Sequence, residues 1–143
     1  MNGRTVIVLT SSRAQPDQLE AAIAEAAAPG TAVDVVIPAV LPPTLPISAC
    51  PPRIVARLNG QREVALAALR RLGVRGSVSI EPSRSVATLL QALPRPDRLM
   101  LVGGAGWRLR RAAHGLADVV TVVPARSDRT PARRPLPGAA KTA

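Results

Sequence analysis

The chain has 143 residues, the size of one ordinary domain, and 47% of them are apolar, almost all Ala, Val, Leu and Ile. With no Phe, no Tyr and one Trp, it lacks the aromatic rows on which single-stranded nucleic acids usually stack. A lone Cys50 and a lone His114 exclude an intramolecular disulfide and any multi-Cys or multi-His metal site.

The net charge is +10, and eighteen of the nineteen basic residues are Arg. Such a balance favours acidic partners such as nucleotides, nucleic acid or anionic lipid. It equally fits a soluble basic protein whose Arg and Ala usage follows a GC-rich genome. The opening Met1-Asn2-Gly3-Arg4 passes straight into strand-like sequence with no secretory pattern. The longest apolar run, residues 35–41, is broken by Pro38 and is too short for a bilayer. The expectation is a cytoplasmic protein without a membrane span.

Residues 5–10, TVIVLT, are β-branched without polar alternation, as in a central parallel strand buried on both faces. Pro16 and Asp17 suit the first turn of a helix, Leu19, Ala22, Ile23 and Ala26 form its apolar stripe, and Pro29-Gly30 stops it. Residues 31–40 read as a second strand with Asp34 as a polar interruption. Residues 41–52 form a loop with five prolines. A second helix follows over residues 54–72, with Leu58, Ala65, Leu69 and Leu72 on one face and Gly73 as its stop.

Residues 77–80 predict a short third strand. Ser83 is the expected cap of a third helix whose Val86, Leu89, Leu90 and Leu93 face inward, and Pro94 ends it. Residues 98–102 predict a fourth strand, residues 107–113 a short helix and residues 119–123 a fifth strand. Trp107 is expected to be partly in the core, and His114 to sit at a helix C-terminus, where the dipole favours its charge. From Arg126 on, Pro, Arg, Ala and Gly dominate, which predicts a disordered basic tail over 126–143 after an α/β domain over 1–125. Strands alternating with helices predict an open, doubly wound parallel five-stranded sheet with helices on both faces.

The stretch Asp97-Arg98-Leu99-Met100-Leu101-Val102-Gly103-Gly104-Ala105-Gly106-Trp107-Arg108 carries the strongest functional signal. It reads as a buried strand, a glycine turn and a basic helix start. Glycines let the backbone pass through φ > 0, and a helix N-terminus offers unpaired N–H groups and partial positive charge, the ingredients of an anion site. Arg108, Arg110 and Arg111 supply guanidinium groups that pair with phosphate, or a solvated helix face. Ser11 and Ser12 donate to a phosphate or cap a helix. Arg53 and Arg57 read as solvent-facing.

In element order and spacing, residues 5–124 resemble the universal stress protein family. In that family the fourth strand ends in a Gly-two-Gly-nine-Gly-Ser/Thr motif that holds the phosphates and ribose of ATP. Gly103 and Gly106 match its first pair, Leu109-Arg110-Arg111 the apolar-basic-basic run, and Gly115 the third glycine. Eight residues rather than nine separate Gly106 from Gly115, and Leu116 stands where a hydroxyl is expected. The family's Asp after the first strand corresponds to Ser11.

The resemblance implies strand order 3-2-1-4-5 and ATP or another adenine nucleotide as ligand. Its site would comprise Thr10, Ser11, Gly103, Gly104, Gly106, Arg108 and Gly115, with the phosphates over the Gly103–Gly106 turn. It also implies a stress-response regulatory role and a homodimer through an edge strand at residues 119–123. The departures fit equally a chain that binds no cofactor, a non-catalytic accessory subunit docking on a partner protein through its basic tail. No Ser-His-Asp, Cys-His or paired-carboxylate set can be assembled, so an enzyme is not expected. Nucleic-acid binding, if present, is expected to be non-specific.

Overall fold

The structure is a computed structural model that describes residues 3–11, 16–27, 31–46 and 51–124. The expectations for Ser12, Pro29-Gly30, Cys50 and the basic tail lie outside the described residues. Five strands and four helices alternate: β1 (Gly3–Leu9), α1 (Pro16–Ala26), β2 (Thr31–Val40), α2 (Pro52–Leu72), β3 (Gly76–Ser83), α3 (Val86–Ala92), β4 (Arg98–Val102), α4 (Trp107–Leu116) and β5 (Val119–Val123). The strands form one parallel sheet in the order β3-β2-β1-β4-β5, as expected.

The two-residue strand period sends alternate side chains to two cores. Ile7, Leu9, Val35, Ile37, Met100 and Val102 pack with α1 and α2. Val6, Val8, Val36, Leu99 and Leu101 pack with α3 and α4. The sheet order therefore reverses between β1 and β4, and the helices change face there. In an open α/β sheet this switch, beyond the carboxyl ends of the strands, is where ligands bind.

Several local expectations are corrected. Ser83 does not cap α3: β3 runs on to Ser83, whose Oγ donates to the Ser85 carbonyl, 2.9 Å. Ser85 is the cap, its Oγ accepting from the Thr88 N–H at 3.1 Å. Leu72 is not in the core: as the final residue of α2 it is 37% exposed, while Leu58, Ala65, Ala68 and Leu69 are buried. The proline loop ends sooner, since Pro52 has no N–H to lose and starts α2. Helix α4 runs to Leu116 rather than stopping at Ala113. Gly73 does stop α2, in the left-handed region at φ 66°.

Asp34, the polar interruption, is held at the amino end of the sheet. Arg4 Nε donates to it at 2.7 Å and Ser77 Oγ at 2.9 Å. Pro38 looks wrong for an interior strand, where a missing donor breaks the ladder. The register removes the conflict. β1 pairs with β2 only as far as Val8↔Val36, so Pro38 stands where β2 has run past its neighbour and pairs only with β3.

Candidate functional site

That overrun of β2 opens the site. Where β2 continues beyond β1, a cleft of about 170 Å³ is lined by Leu9, Thr10, Ser11, Ile37, Pro38, Val40, Arg57, Leu58, Gln61 and Val86. A second cleft of about 390 Å³ lies between α1 and α2, with Pro16, Leu19, Gly60 and Val64 added to the shared Leu9, Arg57 and Gln61. The two meet under Arg57 and Gln61, on successive turns of α2. Together they form an apolar-floored groove at the carboxyl ends of β1 and β2, with a guanidinium at its rim.

At the switch point itself, β1 and β4 are tied together. The Thr10 N–H donates to the Val102 carbonyl at 2.9 Å, and Thr10 Oγ1 donates to the Gly104 carbonyl at 2.5 Å. Gly103 and Gly104 have φ of 118° and 93°. A Cβ on Gly103 would lie 2.8 Å from both the backbone N and the Cβ of Ser11, so glycine is required there by contact as well as by φ.

The N–H groups of Gly103 and Gly104 both donate to the Val123 carbonyl, each at 2.8 Å. These two donors are turned into the fold, closing the end of β5 onto β4. A phosphate over this turn must therefore be met by other groups. The start of α4 offers them. Gly106 is its N-cap and, having no side chain, makes no side-chain cap bond to the first-turn N–H groups.

Arg108 follows, its guanidinium 5.3 Å from the centre of the Trp107 ring. Arg110 Nε turns back to the Ala105 carbonyl at 3.0 Å. Trp107 is not partial core: it is 67% exposed, because it opens α4 on the side away from the sheet.

Of the residues expected at the site, Thr10, Ser11, Gly103, Gly104, Gly106 and Arg108 converge on the carboxyl end of the β1–β4 switch. Gly115 does not join them. It lies in the last turn of α4, and nine residues of helix place it about 13 Å along the axis from Gly106. His114 is likewise in that last turn. Arg57 and Gln61 were missed as site residues. Periodicity marks both as the polar face of α2, and only the stagger of β2 against β1 puts that face over a cleft. Among the described residues no three His, Cys, Asp or Glu side chains are grouped so as to hold a metal. No helix of the described residues is long and apolar enough to cross a membrane.

No protein-family model matches the sequence, and no curated protein sequence matches it. Solved structures do. A protein of the universal stress protein family from Burkholderia pseudomallei matches 86% of this chain over 96% of its own, at 18% identity and TM-score 0.61. A family member from Arabidopsis thaliana, solved with AMP bound, matches 92% of this chain over 97% of its own, at 12% identity and TM-score 0.60. The universal stress protein from Archaeoglobus fulgidus, solved in complex with dAMP, matches 86% of this chain over 98% of its own, at 18% identity and TM-score 0.55. At these identities the likeness is one of fold, and at that level the resemblance read from the sequence holds.

Proposed function

We infer that this chain, which carries the universal stress protein fold, is a non-catalytic regulatory protein that binds an adenine nucleotide weakly at the carboxyl ends of β1, β2 and β4. The observation that carries the reading is the groove created by the overrun of β2. It offers an apolar floor of Leu9, Ile37 and Leu58 for a base and the Arg57 guanidinium at its rim. Thr10 and Ser11, which line it, also meet the Gly103–Gly104 turn that leads into α4, whose first-turn N–H groups suit phosphate. Two solved structures of this fold, cited above, hold adenine nucleotides.

The affinity is low because the glycine turn spends its own donors on Val123, and because Gly115 stands at the far end of α4. Calorimetric titration of the full chain with ATP, ADP and AMP tests the reading. Heat is expected, with a Kd weakened about tenfold in Arg57→Gln, which removes a charge-assisted contact. No heat and no thermal shift at millimolar nucleotide would sink it.

A second reading has its own support. The spent donors of Gly103 and Gly104 favour an accessory subunit that uses the fold to dock on a partner and binds no nucleotide. Neutralising Arg126, Arg129, Arg133 and Arg134 to Gln separates the two. Nucleotide affinity survives under the first reading, whereas partner capture is lost under the second.

Self-association belongs to the same proposal. The sheet has two edges. β3 is blunted by Ser77, Ser79, Glu81 and Pro82, but β5 is Val-Val-Thr-Val-Val with Val119 51% exposed. β5 pairs with its two-fold mate to give an isologous dimer. Thr121→Pro removes a backbone donor from the middle of that strand. Light scattering is expected to show the wild-type dimer becoming a monomer. A wild-type chain already monomeric at high concentration would count against the dimer.

A further inference from the structure

Ion pairs divide the surface unequally. The salt bridges among the described residues use Arg4, Arg71, Arg95 and Arg98, with Asp34, Glu20, Asp118 and Glu25. These arginines come from strand starts, helix ends and the turn before β4, and so belong to the amino end of the sheet or its flank. At the opposite end the pattern changes. Arg53 and Arg57 lie in the first two turns of α2, and Arg108, Arg110 and Arg111 in the first turns of α4. None of these five makes a salt bridge among the described residues; Arg62, Arg70, Arg75 and Arg84 make none either, but only α2 and α4 bring such arginines together around the strand ends. The carboxylates at this end are few: Asp17 in the first turn of α1 and Glu81 late in β3.

Three further features add to this field. Because every helix follows a parallel strand, all four helix N-termini, each with partial positive charge, point to the same end. The chain passes Pro124 there, whose carbonyl accepts from Gln18 Nε2 at 2.7 Å. The sequence after Pro124 carries Arg126, Arg129, Arg133, Arg134 and Lys141 against one acid, Asp128. The chain's one aromatic residue, Trp107, also stands here, 67% exposed and flanked on one side by the Arg108 guanidinium.

We propose that the carboxyl end of the sheet binds single-stranded nucleic acid without sequence preference, with phosphates along Arg53, Arg57, Arg108 and Arg111 and one base stacked on Trp107. Charge complementarity selects the occupant. α2 and α4 lie on opposite faces of the sheet, so their arginines flank the strand ends as two rows, a track for a linear polyanion rather than for one small anion. An indole beside a guanidinium is a platform for an unpaired base, which a duplex does not offer. The apolar side chains exposed at this end, Val40, Val55 and Trp107, are too few and too scattered to anchor the face in a bilayer. The proposal does not rest on nucleotide binding: a mononucleotide needs the groove under Arg57 and the backbone at the start of α4, whereas a polymer needs both rows of arginines.

Trp107 is the chain's only tryptophan, so intrinsic fluorescence of the full-length protein reports on this face alone. Titration with a fifteen-nucleotide oligothymidylate at low salt is expected to quench it. Log affinity should fall with log salt at a slope of about −3, the value for four phosphate contacts on a single strand. With a dye-labelled oligonucleotide read by anisotropy, Trp107→Ala is expected to weaken binding about tenfold, the loss of one stacked base. Arg53→Gln/Arg57→Gln/Arg108→Gln/Arg111→Gln is expected to weaken it further and flatten the salt slope. Arg70→Gln/Arg75→Gln, at the amino end, is expected to leave it unchanged.

The proposal is overturned if the oligonucleotide does not bind in 50 mM salt or if the amino-end variant loses as much as the face variants. It is also overturned if a duplex binds as tightly as the single strand, or if phosphatidylglycerol vesicles quench Trp107 while the oligonucleotide does not. Binding that vanishes only when the tail arginines are neutralised would overturn it as well. Calorimetry with ATP on the same preparation reports the nucleotide reading separately, so either can fail alone.

Discussion

Gly103→Ala is expected to lower the stability of the fold by about 2–4 kcal/mol, the sum of left-handed backbone strain and overpacking against a rigid neighbour. The backbone at Gly103 has φ 118°, a conformation that L side chains rarely adopt. The new Cβ would lie 2.8 Å from the backbone N of Ser11 and 3.0 Å from Thr10 Oγ1. Neither neighbour can yield cheaply. The Ser11 nitrogen is main chain, and Thr10 is held by its bonds to the carbonyls of Val102 and Gly104. Relief would require β1 and β4 to part at the switch point, which would also disturb the Gly103 and Gly104 bonds to Val123. Urea unfolding should show the midpoint falling with the slope preserved. A midpoint within experimental error of wild type would mean that the β1–β4 closure is not as tight as described.

Gly76→Ala is the second large effect expected, also about 2–4 kcal/mol, and its cause is space alone. Gly76 opens β3 opposite Val33, and a Cβ there would fall 1.7 Å from the Val33 carbonyl oxygen. That oxygen belongs to the backbone of an interior strand, so the start of β3 has to peel away. Peeling would expose the half-buried Val78 and Ile80 that pack on the α1–α2 core. Gly60→Ala supplies the opposite sign in the same protein. Gly60 lies inside α2 with nothing within 4 Å of its Cβ position, so alanine should stabilise by about 0.5–1 kcal/mol through helix propensity. Thermal melts of the two variants should move in opposite directions. A Gly76→Ala protein that melts with wild type would show that the β2–β3 register differs at its start.

Part of the site could be read along the chain and part could not, and the division follows the range of the interactions. The glycine turn after β4 was legible because its cause is local: a short apolar run, two adjacent glycines and a basic helix start. That Thr10 and Ser11 face this turn followed from strand order. That the turn's N–H groups are spent on Val123 did not, since it depends on where β5 ends relative to β4, a register between segments about twenty residues apart. Ser83 was misread for a similar reason. Either Ser83 or Ser85 can cap a helix, and the pairing of β3 with β2 out to Val40↔Ser83 decides between them.

The sequence by itself determined the element order, the doubly wound parallel sheet and the core stripes of β1, α1, β2, α3 and β4. These rest on the two-residue period of strands and the 3.6-residue period of helices, on proline and glycine stops and on the β-branched runs, all set between near neighbours. Only the tertiary structure decided that β2 outruns β1, which opens the groove under Arg57 and Gln61 and makes Pro38 harmless. It also decided that Trp107 stands in solvent, that Gly115 ends α4 far from the turn, and that the early arginines of α2 and α4 share the carboxyl end of the sheet. Those features depend on strand stagger, on the length of α4 and on which surface each helix turns outward. Such quantities are fixed by packing between distant segments, and no local pattern of residues encodes them.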